Sequence, residues 1–280
     1  MPHSTYYAVL LALVLGVGCG TVEPSTQPEP KMGANQPKPP KAAAKKLIPP
    51  KAFTNTLGMK FVPVPRTEVA FCIWETRVKD YAAYAAANAG VDASWKEPFR
   101  SFKQMDTHPV VSVSWNDAQA FCAWLTKKGQ AAGKLKPGQK YRLPTDAEWS
   151  VAVGLGKEKG NTPEEKSRGI QGVYPWGKEW PPPKGAGNYG ESLKVDKFDH
   201  ISPVGSFAEN KLGLYDMGGN VWEWCEDKYR PTRSSRVLRS ASWDYFHPGY
   251  LLSAGRNYIA PGFRDNDLGF RCVLASGSGR

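Results

Sequence analysis

Glycine and proline punctuate this sequence along its whole length, with 28 of the first and 24 of the second. In a helix interior a glycine costs about 1 kcal/mol relative to alanine and a proline about 3 kcal/mol. A chain so interrupted cannot be a bundle of long helices, and short elements joined by long irregular connections are what it can build. At 41% hydrophobic and 12% aromatic over 280 residues, it still carries enough apolar surface for a sizeable core.

Two N-terminal segments fall outside that core. Ala8 to Val17 is an apolar run too short to span a bilayer, followed at once by Gly18-Cys19-Gly20, which reads as a signal-peptide core and a small-residue cleavage site. A cysteine at this junction is where bacterial lipoproteins are cleaved and acylated. Residues 1–19 are therefore expected to be a lipoprotein-type signal with Cys19 as the lipidated residue. A plain secreted chain that loses Cys19 with its signal is the alternative, and both place the protein in the cell envelope, anchored to a membrane or released to the periplasm. Residues 20–50 mix proline with lysine, glutamine and alanine without an apolar period, a composition that stays extended and suits a disordered tether. Seven lysines between Gly20 and Lys60, against Glu23 and Glu29, supply five of the eleven net positive charges. They sit among prolines and alanines rather than between aromatics, so a solvated tether meeting an anionic surface is expected and a nucleic-acid partner is not.

Residues 51–277 read as one domain. Alternation after Gly58 predicts an initial strand pairing within Phe53 to Val64. Glu75 to Asn88 is a first helix by its alanines and the spacing of Val78, Tyr81, Ala82 and Ala85. A second helix is capped by Ser114 or Asn116, lines one face with Ala118, Phe121, Cys122, Trp124 and Leu125, and closes at Lys127 and Lys128. Thr145-Asp146-Ala147-Glu148 is a capping box that starts a third, short helix. From Tyr174 onward no helical period is sustained, and hairpins, turns and long loops are expected. The fold class is α+β with few helices, short strands and an irregular second half.

Taken in order, VSVSWNDAQAFCAWL, YRLPTDAEW, YPWG, PVGSFAENKLGLYDMGGNVWEW and LGFRC resemble the motif series of the formylglycine-generating-enzyme, or sulfatase-modifying-factor, family, from about Phe53 to Leu274. The resemblance implies a C-type lectin-like domain that is stabilised by calcium. One calcium site would use the side chains of Asp216 and Glu223 with the carbonyls of Gly219 and Val221. A second would use Asn188, the carbonyl of Tyr189, Asp196 and the carbonyl of Phe198. Oxygen-only ligands beside glycines that permit positive φ suit Ca²⁺, and turn capping without metal is the plainer reading. Cys122 and Cys272 match a pair that is bridged in family members, whereas Cys72 and Cys225 are left to pair with each other or to remain buried thiols.

Active members of the family carry RGGSW followed by a closely spaced cysteine pair whose thiolates bind Cu(I), a preference of soft ligands. Here the stretch runs Arg239-Ser240-Ala241-Ser242-Trp243-Asp244-Tyr245, with no cysteine between Cys225 and Cys272. Tyr245 stands where the first thiolate would be, so copper-dependent formylglycine formation is not expected. The family's iron branch needs three histidines, and the four here, His3, His108, His200 and His247, show no ligand spacing. What remains at the expected cleft is Trp243, Asp244, Tyr245, His247, Tyr250 and Arg256. These aromatic rings with polar tips suit a peptide, protein or glycan ligand. Trp243 and Arg256 also have a structural reading, one as core and the other paired with a buried carboxylate. The leading expectation is a ligand- or partner-binding domain tethered at the envelope; the rival is a divergent oxidase acting on a peptide or siderophore-like substrate without the cysteine pair.

Overall fold

The chain turns back on itself at Gly58, where φ is +74° and Asn55 Oδ1 accepts from the amides of Leu57 and Met59 at 2.9 and 3.0 Å. This is the first feature of the computed structural model, which describes residues 51–98, 102–167 and 169–276. The signal, the tether and Cys19 lie outside the described residues, as does Gly277. All described residues fall in one unit, Lys46–Arg280. Among them no helix is long and apolar enough to cross a membrane.

The turn joins β1 (Phe53–Thr54) to β2 (Lys60–Pro63), and β3 (Val69–Cys72) follows, all four of its residues buried. Then come α1 (Val78–Ala87), α2 (Trp115–Ala131), β4 (Lys140–Arg142), α3 (Asp146–Ala152) and the single turn α4 (Pro163–Lys166). The second half holds β5 (Trp222–Lys228), β6 (Arg236–Arg239), the short α5 (Pro248–Leu251), β7 (Asn257–Ile259), β8 (Leu268–Gly269) and β9 (Val273–Ala275). One sheet has the order β1-β2-β3-β9-β4 and is antiparallel throughout. The other has the order β7-β6-β5-β8, with β5 and β8 parallel.

Local sequence explains where these elements start. Ser114, not Asn116, caps α2: its Oγ accepts from the Asp117 amide at 3.2 Å while the Asp117 carboxylate accepts the Ser114 amide at 2.8 Å. Thr145 and Glu148 form the expected capping box of α3 at 3.2 and 2.8 Å. The first helix begins three residues later than its periodicity suggested. Thr76 is held in extended pairing, its amide donating to Phe270 O at 2.8 Å and its carbonyl accepting from Val110 N at 2.9 Å. That cross-chain pairing wins over helix propensity and fixes Glu75 in the interior with no exposed surface.

The core between the helices and the five-stranded sheet is aromatic. Phe121 of α2 meets Phe270 edge-on at 5.4 Å and stacks on Tyr81 at 5.8 Å, geometries that add to area burial. The loops of the second half rest on this core and carry the candidate site.

Candidate functional site

The loop after β6 opens under strain. Ser240 and Ala241 take φ of +91° and +69°, a region that costs a residue with a Cβ about 1–2 kcal/mol. They stand where the resemblance placed two glycines. The neighbouring turn Asp216–Asn220 holds them there. Ser240 O accepts from Gly219 N and Ser240 Oγ donates to Gly219 O, both at 3.0 Å, and Trp243 N donates to Asn220 O at 2.9 Å. Asp216, Gly219 and Asn220 in that turn also have positive φ.

From this base the loop presents aromatic rings. Tyr245 is half-buried, perpendicular to Trp222 at 5.2 Å and nearly so to Tyr250 at 5.2 Å. Phe246 and Tyr250 are 56% and 48% exposed, and Asp244 is exposed. His247 is exposed as well, and its Nδ1 accepts the Gly249 amide at 3.2 Å, so it caps α5. Burial, reinforced by the Asp267 carboxylate, raises the Tyr245 hydroxyl.

Trp243 and Arg256, named at the cleft, take the structural reading that was also open to them and belong to the interior. Trp243 is buried against Val111, Ile201 and Val221, with the His200 ring 4.8 Å away. Arg256 pairs with Asp146 at 3.0 Å and with Glu158 at 2.6 Å, and it reaches Ser150 Oγ at 3.1 Å. Its guanidinium is spent on holding α3 and the 158 loop to the strained loop. Conversely, three residues that the sequence did not single out stand beside Tyr245: Trp222, Ser242 and Asp267. Ser242 Oγ donates to Asp267 Oδ2 at 2.8 Å.

Beneath the cleft lies an oxygen-rich interior. Arg271 Nη2 donates to Glu223 Oε1 at 2.6 Å and its Nε to Oε2 at 2.8 Å, while Trp149 Nε1 reaches Glu223 Oε2 at 3.0 Å. Glu223 therefore offers no free oxygen. Asp216 differs: Oδ2 accepts from Gly205 N at 2.7 Å, and its carboxyl also hydrogen-bonds the buried Glu75 carboxyl. Asn188 Oδ1 is buried without a partner. Asn220 links them, its Nδ2 donating to Glu75 Oε1 and its Oδ1 accepting from Asn188 Nδ2, both at 3.2 Å. Burial and then Asp216 push the Glu75 carboxyl far above the carboxylate range, and burial with help from Glu223 takes Asp216 up to about 6. Buried oxygens with surplus negative charge fit a hard cation. Among the described residues no three His, Cys, Asp or Glu side chains are placed to hold a metal by themselves, so a calcium ion at Asp216 would need backbone carbonyls such as those of Gly219 and Val221. In the second expected set, Asp196 Oδ2 accepts from Tyr189 N at 3.1 Å and Oδ1 from Phe198 N at 2.9 Å. That carboxylate already closes its own loop.

All four described cysteines, Cys72, Cys122, Cys225 and Cys272, are buried thiols. The expected bridge is not formed in the structure: the sulfurs of Cys122 and Cys272 stand 3.5 Å apart, with Thr76 Oγ1 3.7 Å from Cys272 Sγ. Burial raises the thiols of Cys72, Cys225 and Cys272.

Fold and site together define a loop-dominated α+β domain that displays an aromatic loop packed on a buried, oxygen-rich turn. Residues 32–276 match the sulfatase-modifying factor enzyme 1-like domain, and the chain belongs to that family. It is 37% identical over 202 residues to inactive C-alpha-formylglycine-generating enzyme 2 of Bos taurus, a match covering 67% of this chain and 58% of that protein. To the formylglycine-generating enzyme of Streptomyces coelicolor it is 32% identical over 223 residues, covering 66% of this chain and 61% of the enzyme. The chain thus spans about three fifths of the length of these relatives. Among solved structures, PvdO from Pseudomonas aeruginosa superposes with a TM-score of 0.52 at 24% identity, over 74% of this chain and 80% of that one, a likeness of fold.

Proposed function

We propose that this protein is a ligand-binding member of the family that does not carry out its copper-dependent oxidation. One observation carries this reading: the loop after β6 presents the ring of Tyr245, while all four described cysteines are buried, and burial raises the thiols of Cys72, Cys225 and Cys272. A soft Cu(I) ion requires thiolates, and no described cysteine supplies one to the cleft. Similarity to a relative whose name marks it as inactive supports the same reading. Exposed Phe246 and Tyr250 beside Tyr245 offer rigid rings for a peptide or glycan.

The setting we propose is the cell envelope, with Cys19 acylated and residues 20–50 as the spacer. Calcium at the Asp216 turn would neutralise the surplus charge there and stiffen the base on which the cleft loop rests. A bridge between Cys122 and Cys272 fits the oxidising compartment, and the adjacent sulfurs support it.

The test is to purify the full chain without chelator, offer Cu(I), wash, and measure bound metals alongside oxygen uptake with a thiol peptide. Retention of calcium alone, with no oxygen uptake, is expected. Copper or iron retained near one per chain, with oxygen consumed, would instead establish the oxidase.

A further inference from the structure

The hairpin that joins β5 to β6 turns at the far end of these strands from the aromatic loop. β5 runs seven residues from Trp222 to Lys228, about 20 Å at the rise of an extended strand, so its two ends are separate surfaces. At the turn, Tyr229 N donates to Ser235 O at 3.0 Å and Arg233 N to Arg230 O at 3.2 Å. Pro231 takes the position after Arg230, where a β-turn favours proline, and the turn sets Arg230 and Arg233 at its two ends. Strand β7, paired with β6, brings Tyr258 alongside, its ring 4.1 Å from that of Tyr229 and 17° from parallel. Tyr229, Arg230, Arg233, Ser235 and Tyr258 line a cavity of about 230 Å³.

The walls of this cavity ask for a ring and for an anion. Arg230 is paired with Glu164, and that carboxylate, followed by the hydroxyls of Tyr258 and Tyr229, raises its guanidinium. No carboxylate among the described residues pairs with Arg233. Two guanidinium groups at the ends of one turn therefore share one counter-ion, and a second anion between them completes the balance. The planar guanidinium fork matches a carboxylate in a two-point contact. Tyr258 rests one face on Tyr229 yet is 47% exposed, which leaves the rest of a rigid ring to a flat partner. The hydroxyls of Ser235 and the tyrosines can donate and accept, and no aliphatic side chain lines the cavity. That set suits a hydroxylated ring with an acidic group better than it suits an apolar peptide side chain.

We infer that this end of the second sheet binds an acidic sugar, with the sugar ring against Tyr258 and its carboxylate shared between Arg230 and Arg233. The site is independent of the role proposed for the loop after β6 and lies on a surface which that role does not use. Arg233 selects for charge and Tyr258 for a ring. The cavity is smaller than the roughly 300–1,000 Å³ of sites for drug-sized ligands, so it takes one sugar unit and the rest of a glycan lies outside it.

Four small probes decide it: methyl glucuronide, methyl glucoside, acetate and N-acetyl-glutamate methylamide. Each is titrated into the full chain at neutral pH while the ring signals of Tyr229 and Tyr258 are followed by NMR. The first two share a ring and differ in charge, whereas the last two keep the carboxylate and lack the ring. The glucuronide should bind about tenfold more tightly than each of the others, the worth of one charge-assisted contact. Arg233→Gln should bring the glucuronide down to the glucoside, and Tyr258→Ala should bring it down to acetate; both positions are exposed. A glucoside that binds as tightly would remove the arginines from recognition and overturn the inference. Acetate or the glutamate amide binding as tightly would make this a site for a bare anion or an acidic peptide and overturn it too, as would ring signals that move with none of the four. Were a variant to unfold, the comparison of the probes on the unaltered protein would still decide.

Discussion

Two buried charge networks lie on either side of Trp149, and they are built to opposite balances. In the first, Arg239 and Arg256 face Asp146 and Glu158: Arg239 Nη1 is 2.7 Å from Asp146, Arg256 bonds both carboxylates, and Ser150 Oγ accepts from both arginines. Burial alone would raise Asp146, but Arg239 and Arg256 outweigh it and hold the carboxyl below its usual range; hydrogen bonds from Arg256 and Ser150 do the same for Glu158. In the second, Arg271 alone faces Glu223, Asp216 and Glu75. Glu223 is satisfied, whereas Glu75 and Asp216 are both raised and hydrogen-bond one another, carrying more negative charge than Arg271 matches. The Trp149 ring lies 4.3 Å from the Arg239 guanidinium carbon and its indole N–H bonds Glu223, so the two networks touch through one side chain. Matched interior charges hold a loop in place. Unmatched ones leave room for a proton or a cation, and the unmatched network is the one under the candidate site.

The largest expected effect breaks the balanced network. Asp146→Ala leaves two fully buried arginines without their shared carboxylate and should cost about 3–5 kcal/mol in urea unfolding. A loss below about 1 kcal/mol would mean that water replaces the carboxylate and that the network is not a structural clamp.

Next in size is the contrast within the surplus network. Asp216→Asn removes a charge that nothing matches, so in excess chelator it should leave thermal stability unchanged or raised, and in millimolar calcium it should lower it. Glu223→Ala should instead lower the melting temperature in both conditions, because Arg271 loses its partner whether or not metal is present. If Asp216→Asn and Glu223→Ala respond identically to calcium, the distinction between ligand and counter-ion fails.

A smaller effect tests the cleft acid. The folded protein favours protonated Asp267, so the stability this group contributes is full below an unfolded carboxyl value near 3.9 and is lost as pH rises through about 6. At about 1.4 kcal/mol per unit, the loss is at most about 3 kcal/mol. Asp267→Asn should therefore flatten the stability curve between pH 4 and 7 and be the more stable form at pH 8; parallel curves for the two proteins would count against an unmatched carboxyl.

The smallest effect is on the exposed rings. Tyr250→Ala should change stability by less than about 0.5 kcal/mol, the usual range for surface positions, while weakening any ligand that uses the cleft.

The sequence carried the parts of this structure that depend on neighbours along the chain. The capping box at Thr145, a cap at Ser114 or Asn116, the strand alternation after Gly58 and the family motifs were all visible there. Glu75 was not, because its burial follows from pairing of Thr76 with Phe270 and Val110, segments far away in sequence. Asp267 and Ser242 escaped for the same reason: each is an ordinary loop residue until the fold brings them within 2.8 Å. Arg256 faces inward to Asp146, the structural reading that the sequence left open beside the cleft, and no periodicity in an irregular segment decides between the two directions. The signal for Asp267 was a carboxylate directly before the LGFRC motif, close to the cleft loop only in three dimensions.

The strand order of the first sheet has a bearing on how this chain is made. β9 lies between β3 and β4, with Val273 opposite both Phe71 and Arg142, so those two strands cannot complete their hydrogen bonding until the last of the described residues have left the ribosome. At typical elongation rates the roughly 200 residues between Cys72 and Val273 take on the order of ten seconds or more. During that interval the apolar edge of Val69–Cys72 is available to any passing strand. A stop or nick before Val273 would leave both edges open permanently, and the product would be a substrate for proteases or aggregation rather than a shortened binding domain.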